Sequence, residues 1–137
     1  PGEARELLES IRPFQAHRTL RAFFEAYSLV ADRLVVSSPE DSNAESDLVR
    51  DCLTSGKQYL RQRRLRSAEA VSKTLLQNGV KLAGNLDLLN SDSDSVDERR
   101  QRFAHELHDT IRRLDAIHAL ASIRRSGALR FPVQEEI

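Results

Sequence analysis

A chain of 137 residues fits a single domain, and one of this size buries roughly two-thirds of the surface its unfolded chain exposes. With 39% apolar and 31% charged residues, the composition is that of a charge-rich helical protein rather than a disordered one. The 21 basic and 21 acidic residues cancel, which excludes the strong basic excess of a polyanion-binding protein, so no nucleic-acid partner is expected.

Hydrophobic spacing is helical throughout and never alternates for long as a strand would, so the expected class is all-α. A short helix is predicted over 3–11, closed off by Pro13, because the residue before a proline avoids helical geometry. The next helix centres on "LRAFFEAYSLVADRL" (20–34). Leu20, Phe23, Phe24, Tyr27, Val30 and Leu34 form one stripe, and Arg18, Arg21, Glu25 and Asp32 lie opposite. Leu29 falls on the polar side, as an exposed leucine or as a contact for a missing partner.

"SSPEDSNAESD" (37–47) is a polar linker in which Ser42 and Glu45 have capping-box spacing. The helix expected over 43–63 carries Leu48, Val49, Cys52, Leu53, Tyr59 and Leu60 on its apolar side. Cys52 is the single cysteine, so no internal disulfide forms. Its thiol reads as structural, and a reducing compartment is expected.

Ser67 is a candidate cap for a helix over 68–88. Its two apolar faces, Val71, Leu75, Leu82 and Leu86 against Leu76, Val80 and Ala83, suggest a central position in a bundle. Asn78 and Gly79 interrupt the pattern, and Gly79 and Gly84, each costing about 1 kcal/mol against Ala in a helix, are explained by close packing or by a bend. An acidic loop, "NSDSDSVDE" (90–98), ends in a second capping box, Ser95 with Glu98. It opens the longest helix, 96–125, with Phe103, Leu107, Thr110, Leu114, Ile117 and Ala121 on one face and Gly127 as its stop. The expectation is one helical bundle over 1–127, with four main helices and the short N-terminal one, followed by an extended or disordered tail, 128–137. No apolar run approaches the ~18 residues of a membrane-spanning helix. Met is absent and the chain opens Pro1-Gly2-Glu3, as an excised or processed chain would.

Three motifs invite chemistry. "HELHD" (105–109) has Asp109 where a zincin helix needs its second His, so His105, His108 and Asp109 read as a polar face and no metal site is expected. The acidic loop has Asp97 and Phe103 where a calcium loop needs Gly and Glu, and reads as a capping loop. No Gly-rich phosphate loop, CxxC pair or nucleophile elbow occurs, and no cofactor is implied. "RQRRLR" (61–66) is the one dense basic cluster. Arg61, Arg63, Arg64 and Arg66 form either a solvated helix end, a contact for anionic lipid or a neighbouring domain, or a nucleic-acid contact.

The wording of several segments together is more specific. "IRPF" (11–14), then "LRAFFEAYSLVADRL", then "GKQYLRQRRLRSAEAVSKTLLQNGVKLAGNLDLL" (56–89) and a final Arg-rich helix resemble the C-terminal region of glycerol-3-phosphate acyltransferases of the bacterial membrane-associated and mitochondrial type. The resemblance spans residues 5–120. It implies an enzyme that transfers an acyl group from acyl-CoA or acyl carrier protein to glycerol 3-phosphate, the opening step of phospholipid synthesis.

The catalytic domain of such enzymes carries a His, four residues, then an Asp, a general base and its orienter. Here the fifth residue after His17 is Ala22, after His105 Thr110, after His108 Arg113 and after His118 Ile123. The chain alone is therefore not expected to catalyse the reaction, and no catalytic residue carries over. The resemblance implies a helical accessory domain packed on a catalytic domain of the same native chain, peripheral to the cytoplasmic face of the membrane, with acyl-CoA or acyl carrier protein reaching it only through that domain. Leu29, Leu76 and Val80 are the candidate interdomain contacts. The alternative is a freestanding all-α protein-interaction or regulatory dimerisation module.

Overall fold

The computed structural model describes residues 13–38 and 44–126, with side chains over 18–38 and 44–124. The predicted helix 3–11, Ser42, Gly127 and the tail 128–137 lie outside the described residues. Among the described residues the architecture is an all-α bundle of four helices, α1 (Pro13–Val35), α2 (Glu45–Arg61), α3 (Lys73–Asn85) and α4 (Val96–Ser126), with a 3-10 turn at Ala68–Ala70.

The centre of the bundle is α1 rather than the helix expected over 68–88. It packs against α2, α3, α4 and the 3-10 turn. Ala22, Glu25, Ala26, Ser28, Leu29, Val30, Ala31 and Leu34 are all buried, which takes in nearly every side of the helix. The small residues among them let neighbours approach, and the approach is completed by glycines on the facing helices. A Cβ on Gly79 of α3 would stand 3.0 Å from Tyr27 Cδ1 and 3.1 Å from Val30 Cγ2. One on Gly56 of α2 would stand 3.0 Å from Val71 Cγ2 and 3.1 Å from Leu29 Cδ1. Gly79 is thus a close-packing glycine, whereas Gly84 is exposed, with only Leu89 Cδ1 at 3.4 Å.

This geometry corrects the reading of Leu29, Leu76 and Val80 as surface left over for a missing domain. All three are core, 4%, 0% and 1% exposed, in one cluster with Val30, Leu34, Leu48, Val49 and Cys52. Leu29 is covered because α2 crosses over what a two-faced helical wheel treats as solvent. Each such side chain contributes about 1.5–3 kcal/mol by leaving water. Leu20, assigned to the stripe, is 46% exposed.

The helix ends also differ from expectation. Ala44, not a residue of the Ser42 box, is the N-cap of α2, and Ser67 precedes only the 3-10 turn and makes no side-chain cap bond. The α-helix begins later, capped by Ser72, whose hydroxyl accepts the Leu75 N–H. Both α2 and α3 close with paired Schellman bonds: Arg64 N–H to Tyr59 O at 2.8 Å with Arg63 N–H to Leu60 O, and Leu88 N–H to Ala83 O at 2.9 Å with Asp87 N–H to Gly84 O. The residue that must turn left-handed is Arg63 (φ 57°) in one and Asp87 (φ 55°) in the other, where glycine is usual.

Arg100 ties these ends together. It is 2% exposed, and its Nε donates to Leu88 O at 2.8 Å and its Nη1 to Leu34 O at 3.4 Å, a cation set in the last turn of α1. Its neighbour Arg99 donates to Leu86 O and to Ser93 Oγ, and Ser93 in turn donates to Asp87. The acidic loop is thereby held by arginines of α4.

Candidate functional site

The sequence cluster "RQRRLR" does not form one patch. Arg61, Arg63, Arg64 and Arg66 are all exposed, but the Schellman turn after α2 sends them to different places. Arg64 folds back over Tyr59, its guanidinium carbon 4.1 Å from the ring centroid. Arg66 enters a pocket with residues of α1 and α4, while Arg61 and Arg63 stay at the outer end of α2.

That pocket is built from the inside outwards. Glu25 is 2% exposed, and its carboxylate accepts Arg21 Nε at 2.7 Å, the Arg66 N–H at 3.2 Å and the Ser67 N–H at 3.0 Å. Three donors, one of them charged, compensate the burial of the carboxylate, and they fasten the stretch before the 3-10 turn onto α1. Asp115 of α4 then receives both Arg21 and Arg66. The result is a partly enclosed pocket of about 360 Å³ that Arg18, Leu114 and His118 also line. Sequence reasoning missed Glu25, Arg18 and Arg21 because the partners of Glu25 are backbone groups 41 and 42 residues away. The one local signal is a glutamate set between Ala22 and Ala26, small residues that mark a packed face.

A second cleft lies between α1, α2 and α4. His108 Nε2 sits 2.8 Å from Asp32 Oδ1, and Arg33 reaches Asp51 at 3.4 Å. Arg64 and Tyr59 form its rim. It continues inward to a small cavity of about 110 Å³, lined among others by Ser28, whose buried hydroxyl has no protein partner. The "HELHD" motif is divided here: His108 joins α4 to α1, Asp109 pairs with Arg112 and Arg113 on its own helix, and His105 is exposed. Among the described residues, no three His, Cys, Asp or Glu side chains are grouped as metal ligands would be.

Cys52 is fully buried, with Sγ 3.8 Å from Leu29 O, and burial pushes its thiol up to about 12, far from the range of a reactive thiolate. No helix among the described residues is long and apolar enough to cross a membrane. Large apolar side chains stand exposed at Leu20, at Val35 and Val36, at Leu86 and, at helical spacing along the end of α4, at Ile117, Leu120 and Ile123, which are 52%, 60% and 39% exposed.

Fold and sites together define a helical module in which ion pairs join the helices and line the clefts, and in which one helix end carries open apolar side chains. Its family is also defined. The chain belongs to the family described as glycerol-3-phosphate acyltransferase C-terminal region, whose sequence model matches residues 2–92. It is similar to proteins of Mycobacterium bovis and Mycobacterium tuberculosis named "Putative acyltransferase plsB1", at 40% identity over 116 residues. The similarity covers 84% of this chain and 18% of each relative, so the chain spans less than a fifth of the length of the curated proteins it matches. No solved structure matches it.

Proposed function

We propose that this chain is the C-terminal helical domain of a glycerol-3-phosphate 1-O-acyltransferase, an enzyme of phospholipid biosynthesis that works at the cytoplasmic face of the membrane. In this reading a catalytic domain of the same native chain moves an acyl group from acyl-CoA or acyl carrier protein to glycerol 3-phosphate. The present domain packs against it and helps to position it. The observation that carries the reading is the family match over residues 2–92, joined to 40% identity with proteins named as acyltransferases.

The geometry adds where such packing would occur. With Leu29, Leu76 and Val80 committed to the core, the exposed apolar side chains Ile117, Leu120 and Ile123, which follow one another at three-residue spacing on α4, are a surface that fits the rest of an acyltransferase chain. Arg61 and Arg63, exposed at the outer end of α2, are free to face an anionic membrane surface.

The test is acyl transfer to glycerol 3-phosphate by the longer parent protein, by the parent lacking this segment, and by this chain alone. Activity in the first, loss in the second and none in the third is the expected pattern. A well-folded parent inactive with both donors would overturn the reading in favour of an interaction module.

A further inference from the structure

The pocket between α1, the 66–67 link and α4 carries an excess of positive charge that its own carboxylates do not cancel. Glu25 lies beneath it and is saturated by Arg21 and two backbone N–H groups. At the wall, Asp115 alone faces three guanidinium groups, those of Arg21, Arg66 and Arg18. Arg18 lies one turn before Arg21 on α1 and forms no ion pair with a described residue, Glu69 being the acidic side chain that shares the neighbouring groove with it.

We infer that this pocket binds a phosphate monoester, with the phosphate on Arg18, Arg21 and Arg66 and the organic part along Leu114. Three arguments support it. Arg21 and Arg66 are already oriented by carboxylates, so less side-chain freedom is lost on binding. A planar guanidinium fork fits the oxygens of a phosphate, and a monoester, with a charge of about −1.5 to −2, gains more from three cations than a diester or a carboxylate does. Finally, the pocket of about 360 Å³ has room for more than a bare phosphate, and Leu114 gives that further part an apolar wall. The inference deepens the acyltransferase reading, and rests on it to the extent that both acceptor and product of that reaction are phosphate monoesters. Such a ligand is either a soluble ester or the head group of a lipid.

The 137-residue chain is titrated with glycerol 3-phosphate by calorimetry, with glycerol as control. It is also sedimented with phosphatidylcholine vesicles containing phosphatidic acid or, at equal surface charge, phosphatidylserine. Saturable binding of glycerol 3-phosphate but not glycerol assigns the site to a soluble ester. A preference for phosphatidic acid over phosphatidylserine vesicles assigns it to a lipid head group, and either result supports the site. Arg18→Gln and Arg66→Gln each weaken that binding about tenfold or more, whereas Arg61→Gln and Arg63→Gln, equal changes of charge outside the pocket, leave it unchanged. Arg18→Gln breaks no ion pair within the described residues, so it decides the matter if Arg66→Gln impairs folding.

Binding of neither probe, or equal weakening by all four substitutions as a diffuse field would give, overturns the inference. The two proposals fail separately. A parent that transfers acyl groups while this pocket binds no monoester loses only the site, and a pocket that binds in an inactive parent leaves the acyltransferase reading overturned.

Discussion

The two halves of α4 follow one helical path and belong to two different environments. In the first half Val96, Arg100, Ala104 and Leu107 are buried at three- and four-residue spacing, with Arg100 bonded to carbonyls of α1 and of the loop after α3. In the second half Ile117, Leu120 and Ile123 stand open to solvent, and the described cross-helix ion pairs of that half run through Asp115 to Arg21 and Arg66. A helix packed over only part of its length is stabilised by tertiary contact only there. The first half therefore belongs to this domain's core, while the second half presents apolar area that none of the described residues buries.

The contrast is sharpened most strongly by truncating one leucine on each side of it. Leu76→Ala, at a core position with no exposure, should lower unfolding free energy in urea by about 2–5 kcal/mol, while Leu120→Ala in this chain should change it by less than about 0.5 kcal/mol. A large cost at Leu120 would place the second half of α4 in the core after all.

Glycine substitutions probe the same boundary at smaller scale. Gly79→Ala forces a methyl against Tyr27 and Val30 at 3.0 and 3.1 Å, and overpacking of about 1–3 kcal/mol should outweigh the helix-propensity gain of about 1 kcal/mol. Gly84→Ala meets only Leu89 at 3.4 Å and should gain up to about 1 kcal/mol. Equal effects would mean that α3 does not approach α1 as described.

The buried thiol supplies a pH test of the core. Between the ordinary thiol value of 9.0 and about 12, the unfolded chain has released a proton that the native chain keeps, so stability falls as pH rises through this window. The Cys52 share of that loss is about 1 kcal/mol by about pH 10, and it should vanish from the pH slope of Cys52→Ala. An unchanged slope would mean that the thiol is not held in an apolar setting. Smallest of all, Arg63→Gly should raise thermal stability by up to about 1 kcal/mol by relieving a left-handed arginine. An arginine kept there at that cost is consistent with service at the surface rather than in the fold.

These tests also mark what the sequence could reveal. Periodicity located all four helices, and the predicted 43–63 and 96–125 correspond to Glu45–Arg61 and Val96–Ser126. It ran through the break at Val71 because a 3-10 turn followed by a helix keeps nearly the same apolar spacing, so the later cap at Ser72 was hidden. For the helix over 20–34 the pattern offered one apolar face, which placed Leu29 outside and left Glu25 on the surface, and the two apolar faces of 68–88 made α3 the centre, whereas α1 is covered on nearly every side by its neighbours. The basic run was visible as composition, but its division between two clefts depends on the turn at Arg63 and on acidic groups from α1 and α4, which no local pattern encodes. Family membership was legible in the wording of residues 11–34 and 56–89, and the matched stretch 2–92 takes in both.

The central claim, that the second half of α4 is completed by the rest of an acyltransferase chain, is tested most directly by amide hydrogen exchange. This chain and the longer parent would be compared under the same conditions. The account predicts slow exchange over residues 96–107 in both proteins, and over 116–126 fast exchange in this chain and protection in the parent. Equally fast exchange of 116–126 in both would contradict it.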